Sequence, residues 1–177
     1  LLEKLVERYN KGADAIQALK QGKIDCVVID EQPAIKFVEQ NTGIRILDEE
    51  FTLEDYAFVV AKSNTELLDK VNSALEKLEA DGTIANIQKN YIGTADEIGK
   101  FPYESKDVSH ENGTLTVGTN AEFPPYESYE DGQIVGIDMD IMRAVSDELG
   151  MELKIEDMAF DSIIPAISTG KVDIGAA

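Results

Sequence analysis

The sequence predicts an α/β fold in which parallel-rich sheets are flanked by helices, and three observations carry that expectation. The first is an internal repeat: Ala15-Ile-Gln-Ala-Leu-Lys-Gln-Gly-Lys-Ile-Asp25 returns as Ile163-Ile-Pro-Ala-Ile-Ser-Thr-Gly-Lys-Val-Asp173. Each copy reads as a short amphipathic helix stopped by Gly22 or Gly170 and followed by an apolar strand, Cys26-Val-Val-Ile or Ile174-Gly-Ala-Ala. That is half of a βαβ crossover. The second observation is the order β-α-β-α-β after residue 114, whose right-handed crossovers make a parallel sheet. The third is size: 177 residues, 43% of them hydrophobic, allow one sizeable core or two small ones. Two repeated units far apart in the chain predict two related sheets, with a cleft beyond the carboxyl ends of their strands.

The elements follow in order. Residues 1 to 9 read as the end of a helix and a short extended piece, and Ala13 to Lys20 as the first repeated helix. Ile24 to Ile29 reads as a buried strand, with Cys26 as a small buried hydrophobe within it. Pro33 suits the first turn of a helix that carries Ile35, Phe37 and Val38 and stops near Asn41 to Gly43. Ile44 to Leu47 and the β-branched, aromatic run Tyr56 to Ala61 read as strands, and Ser63 or Asn64 caps the next helix. That helix places Leu67, Leu68, Val71, Ala74, Leu75 and Leu78 on one face and ends at Asp81-Gly82. A shorter helix runs from Ile84 to Tyr91.

Thr94 to Gly113 has neither helical nor strand periodicity and reads as a linker in which His110 is solvated. Beyond it, Leu115 to Gly118 is a strand, Asp138 caps a helix that Gly150 closes, and Met151 to Glu156 is a strand. Asp161 or Ser162 opens the second repeated helix, and Val172 to Ala176 is the last strand.

Charge and motifs exclude several functions. The formal charge of −19 repels phosphate backbones and anionic lipid, so nucleic acid is excluded as a partner. The chain has no run of about eighteen apolar residues, and Leu1-Leu-Glu-Lys-Leu-Val-Glu-Arg lacks the pattern of a signal peptide, so any secretory signal or membrane attachment is expected outside this chain. No HExxH, GxSxG, CxxC or P-loop occurs, and no cofactor or metal is implied. Two places stand out against the solvated acids. Asp30 follows an apolar strand directly, where a binding role and a helix-capping role are equally open. The segment Gly118-Thr-Asn-Ala-Glu-Phe-Pro-Pro-Tyr-Glu-Ser128 carries aromatics around two prolines at a strand end, and Phe123 there reads as a pocket wall or as a core plug.

Leu115-Thr-Val-Gly-Thr-Asn-Ala-Glu-Phe-Pro-Pro-Tyr-Glu, Gly136-Ile-Asp-Met-Asp-Ile, Phe160-Asp-Ser-Ile-Ile-Pro-Ala-Ile and Gly170-Lys-Val-Asp-Ile together resemble the start of the polar amino-acid-binding proteins of ABC importers. Residues 1 to 93 resemble the end of the same family. The resemblance implies a type II periplasmic-binding fold of two lobes closing on an amino acid, the second lobe incomplete here. It implies that residues 1–55 belong to lobe 2, that 56–61 form a hinge strand, that 62–93 pack back on lobe 1 and that 114–177 begin lobe 1. Asn120 and Phe123 would line the pocket, Phe160 would stack on the ligand, Ala177 would offer backbone, and Asp30 would accept the α-ammonium. The implied partners are an amino acid and the membrane subunits of an importer, and the implied location is extracytoplasmic.

The order departs from the family, whose end comes first here and whose beginning comes last. The family's arginine that clamps the α-carboxylate follows the strand ending at Ala177 and is not in this sequence. Losing a buried charge partner costs on the order of 3–5 kcal/mol, so this chain alone is expected to bind weakly or not at all. Two arrangements fit the order: a segment of a tandem protein running from one domain into the next, or a shortened circular permutant. In both, the helices at 65–91 are expected to cover the sheet begun at Leu115. An enzyme on this scaffold, of lyase or glycan-cleaving type with Glu122 as its acid, and a sensory ectodomain are the rival functions.

Overall fold

The computed structural model describes residues 5–49, 51–53 and 55–177. Its centre is the strand β2 (Thr114–Thr119), where alternate side chains Leu115 and Val117 are fully buried. β2 pairs in parallel with β6 (Glu152–Asp157) along its whole length and with β7 (Ile174–Gly175) on its other side. β1 (Val59–Val60) closes the outer edge antiparallel to β7, giving the order β1-β7-β2-β6. The parallel strands are those expected from the crossover pattern.

Helices cover both faces. On one, α3 (Thr65–Ala80), α4 (Thr83–Ile92) and α5 (Ile137–Leu149) contribute Val71, Leu78, Ile87, Met139, Met142 and Val145 to one core with Leu115, Val117 and Ile174. The helices at 65–91 thus cover this sheet, as expected. Asn64 is the cap of α3, its side-chain oxygen accepting the Leu67 amide at 3.2 Å. On the other face, α6 (Phe160–Ser168) sets Ile163, Ala166 and Ile167 against Val172. Gly175 permits this approach, since a Cβ there would lie 2.8 Å from Ile167 and 2.9 Å from Ile163.

A second, antiparallel sheet, β3 (Glu122–Phe123), β4 (Glu127–Glu130) and β5 (Gln133–Val135), falls where the sequence analysis assigned no helix or strand. Asp131-Gly132, with φ of 49° and 81°, makes the two-residue turn that opposes Glu130 to Gln133. Gly136 then starts α5: its φ is 139°, and a Cβ would sit 2.1 Å from the Tyr126 carbonyl oxygen. The amides of Ile137 and Asp138 donate to the carbonyls of Pro125 and Tyr126 at 3.0 and 3.1 Å. Those carbonyls satisfy helix-start amides, so Gly136 and not Asp138 is the N-cap. Likewise α6 begins at Phe160 after Ala159, one turn position before the expected Asp161 or Ser162.

The N-terminal third departs most from expectation. Residues 1–4 lie outside the described residues, and residues 5–9 are not helical. α1 (Gly12–Lys20) and α2 (Glu31–Gln40) form as expected, packing chiefly on each other through Ala15, Ile16, Ala18 and Phe37. Ile24 to Ile29 and Ile44 to Leu47 are not strands, and Tyr56 to Ala61 shrinks to Val59–Val60. Cys26 is exposed, Val28 is 66% exposed and Leu47 59%. The reason is pairing: a strand forms only with a neighbour for its amides and carbonyls, and among the described residues nothing pairs with these segments.

Residues 94–113 contain no helix or strand but do not float. The Asp147 carboxylate, on α5, accepts the Tyr103 hydroxyl at 2.7 Å and the Lys106 amide at 2.8 Å, with His110 Nε2 3.4 Å away. Glu148 pairs with both Lys77 and Lys106. This connection is strapped across α5.

Leu78, at 0% exposure, fills the junction of the helical layer and the sheet. Leu78→Ala is expected to lower unfolding free energy by about 2–5 kcal/mol in urea denaturation, whereas Leu68→Ala, on the exposed side of the same helix, changes it by about 0.5 kcal/mol or less.

Candidate ligand-binding cleft

The loops that leave β2 and β6 at their carboxyl ends carry most of the expected site residues. They are stitched together. Met158 donates its amide to the Thr119 carbonyl at 2.9 Å, and the Asn120 side chain donates to the Met158 carbonyl at 3.0 Å. The Asp157 carboxylate accepts the Ala121 amide at 3.0 Å and the Tyr129 hydroxyl at 3.2 Å. Asn120 therefore braces one loop against the other, which fixes the start of the segment bearing Phe123.

Phe123 lies half-buried in β3 and stacks on Tyr126, with ring centroids 5.9 Å apart and planes at 24°. Tyr126 in turn contacts Tyr56 at 4.7 Å. Between Tyr56, Phe58, Gln88, Tyr126, Asp138 and Ala177 is a cleft of about 180 Å³, at the carboxyl end of β7. Asp30 stands at the N-cap position of α2 without making a side-chain capping bond, and its charge reaches Tyr56 and Tyr126. The Tyr56 hydroxyl is driven far up, by burial first and by its neighbours Tyr126 and Asp30 next. Of the five residues expected, Ala177 lines this cleft, Asp30 acts on Tyr56 and Tyr126 without lining it, Phe123 backs it through Tyr126, and Asn120 braces the loop that bears Phe123. Phe160 is 52% exposed on the start of α6 and is not part of its wall.

A larger hollow of about 610 Å³ between Asn64, Lys70, Asn112, Glu148 and Asp173 opens at the amino ends of β2, β6 and β7. In open α/β sheets ligands sit at the opposite end, so the smaller cleft is the candidate.

Tyr56, Tyr126 and Asp138 line the cleft and were missed by sequence reasoning, as was Glu127, which follows Tyr126 in the chain without lining the cleft. Glu127 is 1% exposed and neither carboxyl oxygen has a hydrogen-bond partner among the described residues. Burial, then the nearby Asp138, pushes its carboxyl up to about 9, and burial pushes Asp138 up to about 7. Its place between turn and strand in Tyr126-Glu-Ser-Tyr-Glu130 matches that of any solvated acid, so no pattern marks it. Tyr126 carried a signal, as an aromatic fixed by Pro124-Pro125.

The unfolded chain releases the Glu127 proton near 4.5, the folded chain near 9. Between those values the unfolded state binds fewer protons, so stability declines as pH rises and levels off above the folded value. Urea midpoints measured at about pH 5.5 and about pH 8.5 are expected to differ less in Glu127→Gln than in the native sequence. An equally wide gap in the variant overturns the assignment.

Comparison with known proteins identifies the family. Residues 4–94 and 115–177 match the bacterial extracellular solute-binding proteins, family 3. The arginine-binding protein ArgT of Corynebacterium glutamicum is 41% identical over 68 residues, covering 38% of this chain and 22% of that protein. The arginine-binding extracellular protein ArtP of Bacillus subtilis is 37% identical over 60 residues, 34% of this chain and 24% of that protein. Among solved structures, the arginine-bound domain 1 of TmArgBP, at 46% identity, covers 36% of this chain and 52% of that one, with a TM-score of 0.36. The L-cystine solute receptor of Neisseria gonorrhoeae, unliganded and open, is 31% identical over 38% of this chain and 29% of that one, also at 0.36. This chain thus spans about a quarter of the length of those two curated relatives. The α/β fold class expected from the sequence, of the type II periplasmic-binding kind, stands. With matched segments on both sides of the 94–113 connection, the chain belongs to the bacterial extracellular solute-binding proteins of family 3.

Proposed function

We propose that this chain is part of an extracytoplasmic protein that captures an amino acid between two lobes and presents it to the membrane subunits of an ABC importer. The observation that carries the reading is the strand-end cleft lined by Tyr56, Tyr126 and Ala177, with the Asp30 charge of the N-terminal unit felt at both tyrosines. Residues 1–55 serve as lobe 2, 56–61 as the hinge and 62–93 with 114–177 as lobe 1. The tandem arrangement, with 94–113 as connection, accounts for the reversed order of the family's parts. Binding is favoured over turnover because the matched family is one of solute-binding proteins.

The ligand class that fits is a cationic amino acid. Asp138, its carboxyl pushed up to about 7, is the acid that lines the cleft, Asp30 stands close enough to act on its tyrosines Tyr56 and Tyr126, and no basic side chain lines it among the described residues. ArgT and ArtP, both named for arginine, agree with that chemistry. A charge-assisted hydrogen bond from ligand ammonium to Asp30 contributes about 1.5–3 kcal/mol.

Thermal unfolding against arginine, lysine, glutamate, cystine and glycine tests the reading. In a protein extended to a complete domain, arginine or lysine at about 100 times its dissociation constant adds about 2.7 kcal/mol, a shift of several degrees. Asp30→Ala is expected to weaken that binding by about ten- to a hundredfold. Absence of a shift with every amino acid, or unchanged affinity in the variant, overturns it.

A further inference from the structure

Among the described residues, two side-chain hydrogen bonds join the N-terminal unit to the loops after β2 and β6, and each falls beside an aromatic of the expected site. Lys11 Nζ meets Glu122 Oε1 at 2.6 Å, one residue before Phe123. The Asn10 side-chain amide donates to Asp161 Oδ2 at 2.8 Å, one residue after Phe160. The adjacent residues 10 and 11 therefore touch both aromatic loops at once.

We propose that Asn10 and Lys11 form a two-point clip that holds the α1–α2 unit against the Phe123 and Phe160 loops and so sets the gap between the two lobes before any ligand arrives. Asn10 and Lys11 act as positioning residues. The proposal rests on the two-lobe reading above but concerns the empty protein.

Three features support it. Lys11 is followed directly by Gly12, where a Cβ would sit 2.8 Å from both Ile29 and Phe37, so the clip is rigidly joined to α1 and α2. On the other side, Glu122 continues from a loop already braced by Asn120 and Asp157, and Asp161 lies in the first turn of α6. Both anchors are thus fixed to the sheet. Lys11 also faces several acids: its proton is held more tightly through Glu122 first, with Asp14 and Asp157 adding to the attraction. The pair is about half exposed, at 48% and 39%, so it is screened by salt and can be released. A contact of that strength biases a hinge without locking it.

Cys26, the sole cysteine, is exposed on the N-terminal unit, and Gln133 is exposed on β5. Spin labels on Cys26 and on Q133C therefore report the distance between the two units in the ligand-free chain by double electron–electron resonance. A single dominant distance is expected, and N10A/K11A should raise the population at longer distance by about two- to fivefold. About 0.5 M NaCl should act in the same direction. K11E alone should open the unit and K11E/E122K should restore the starting distribution, which a general loss of folding cannot do. An unchanged distribution in N10A/K11A, or failure of the charge exchange to restore it, overturns the clip. Because no amino acid is present, a failure here leaves the capture reading intact, and failure of ligand binding leaves this result intact.

Discussion

β2 has a hydrogen-bonded neighbour on each side, and the rest of the molecule depends on that double pairing. Register along Thr114–Thr119 is fixed by β6 over its full length, which sends Leu115 and Val117 into the helical layer. A slip of one residue would turn both to the opposite face. With β2 fixed, α5 must lie across the sheet, and the loops at its carboxyl end converge where Asn120 and Asp157 stitch them. The same requirement explains what does not form. Residues 24–29 are as apolar as many strands, yet β structure belongs to pairs and not to single segments.

An acidic chain of this kind must hold its α/β body together against its own repulsion, and it does so by giving buried carboxylates donors. Asp147 takes a hydroxyl and an amide from the 94–113 connection, and Asp140 takes the Tyr91 hydroxyl at 2.8 Å, joining α4 to α5. Both join separate helices or loops to α5. Glu127 breaks the rule. It lacks a donor among the described residues, and burial pushes its carboxyl up to about 9, a state that replaces solvation by loss of charge.

Periodicity exposed the elements whose partners are local. The face of α3 was readable because helical hydrogen bonds are made within the segment, and its apolar spacing was complete from Leu67 to Leu78. The repeated helices α1 and α6 were readable for the same reason. Strand segments 24–29 and 44–47 were not, because their state depends on residues elsewhere. The hairpin β4–β5 was overlooked although Asp131-Gly132 is a strong turn signal, since the surrounding Glu-Ser-Tyr-Glu and Gln-Ile-Val are short and half polar. At the site, Asp30 stood out because it follows an apolar run, although that run is not a strand, and Ala177 was reached only through the family resemblance. Tyr56 and Asp138 were not legible, because only the fold brings residue 56 beside residue 126 and residue 138.

The core also bears on how the two family segments relate. Leu67, Val71, Ala74, Leu78 and Ile87 come from the segment that ends at residue 94, while Leu115, Val117, Met142 and Val145 come from the one that begins at 115. They form one continuous cluster without a seam. Close packing of this kind demands matched shapes and not merely apolar character. The helices of the first segment are therefore complementary to the sheet of the second. In a permuted domain that is the native contact. In a tandem protein each sheet would face two equivalent helical pairs, one in its own domain and one from its neighbour, and the strap of residues 94–113 on Asp147 and Glu148 would favour the neighbour by holding it close.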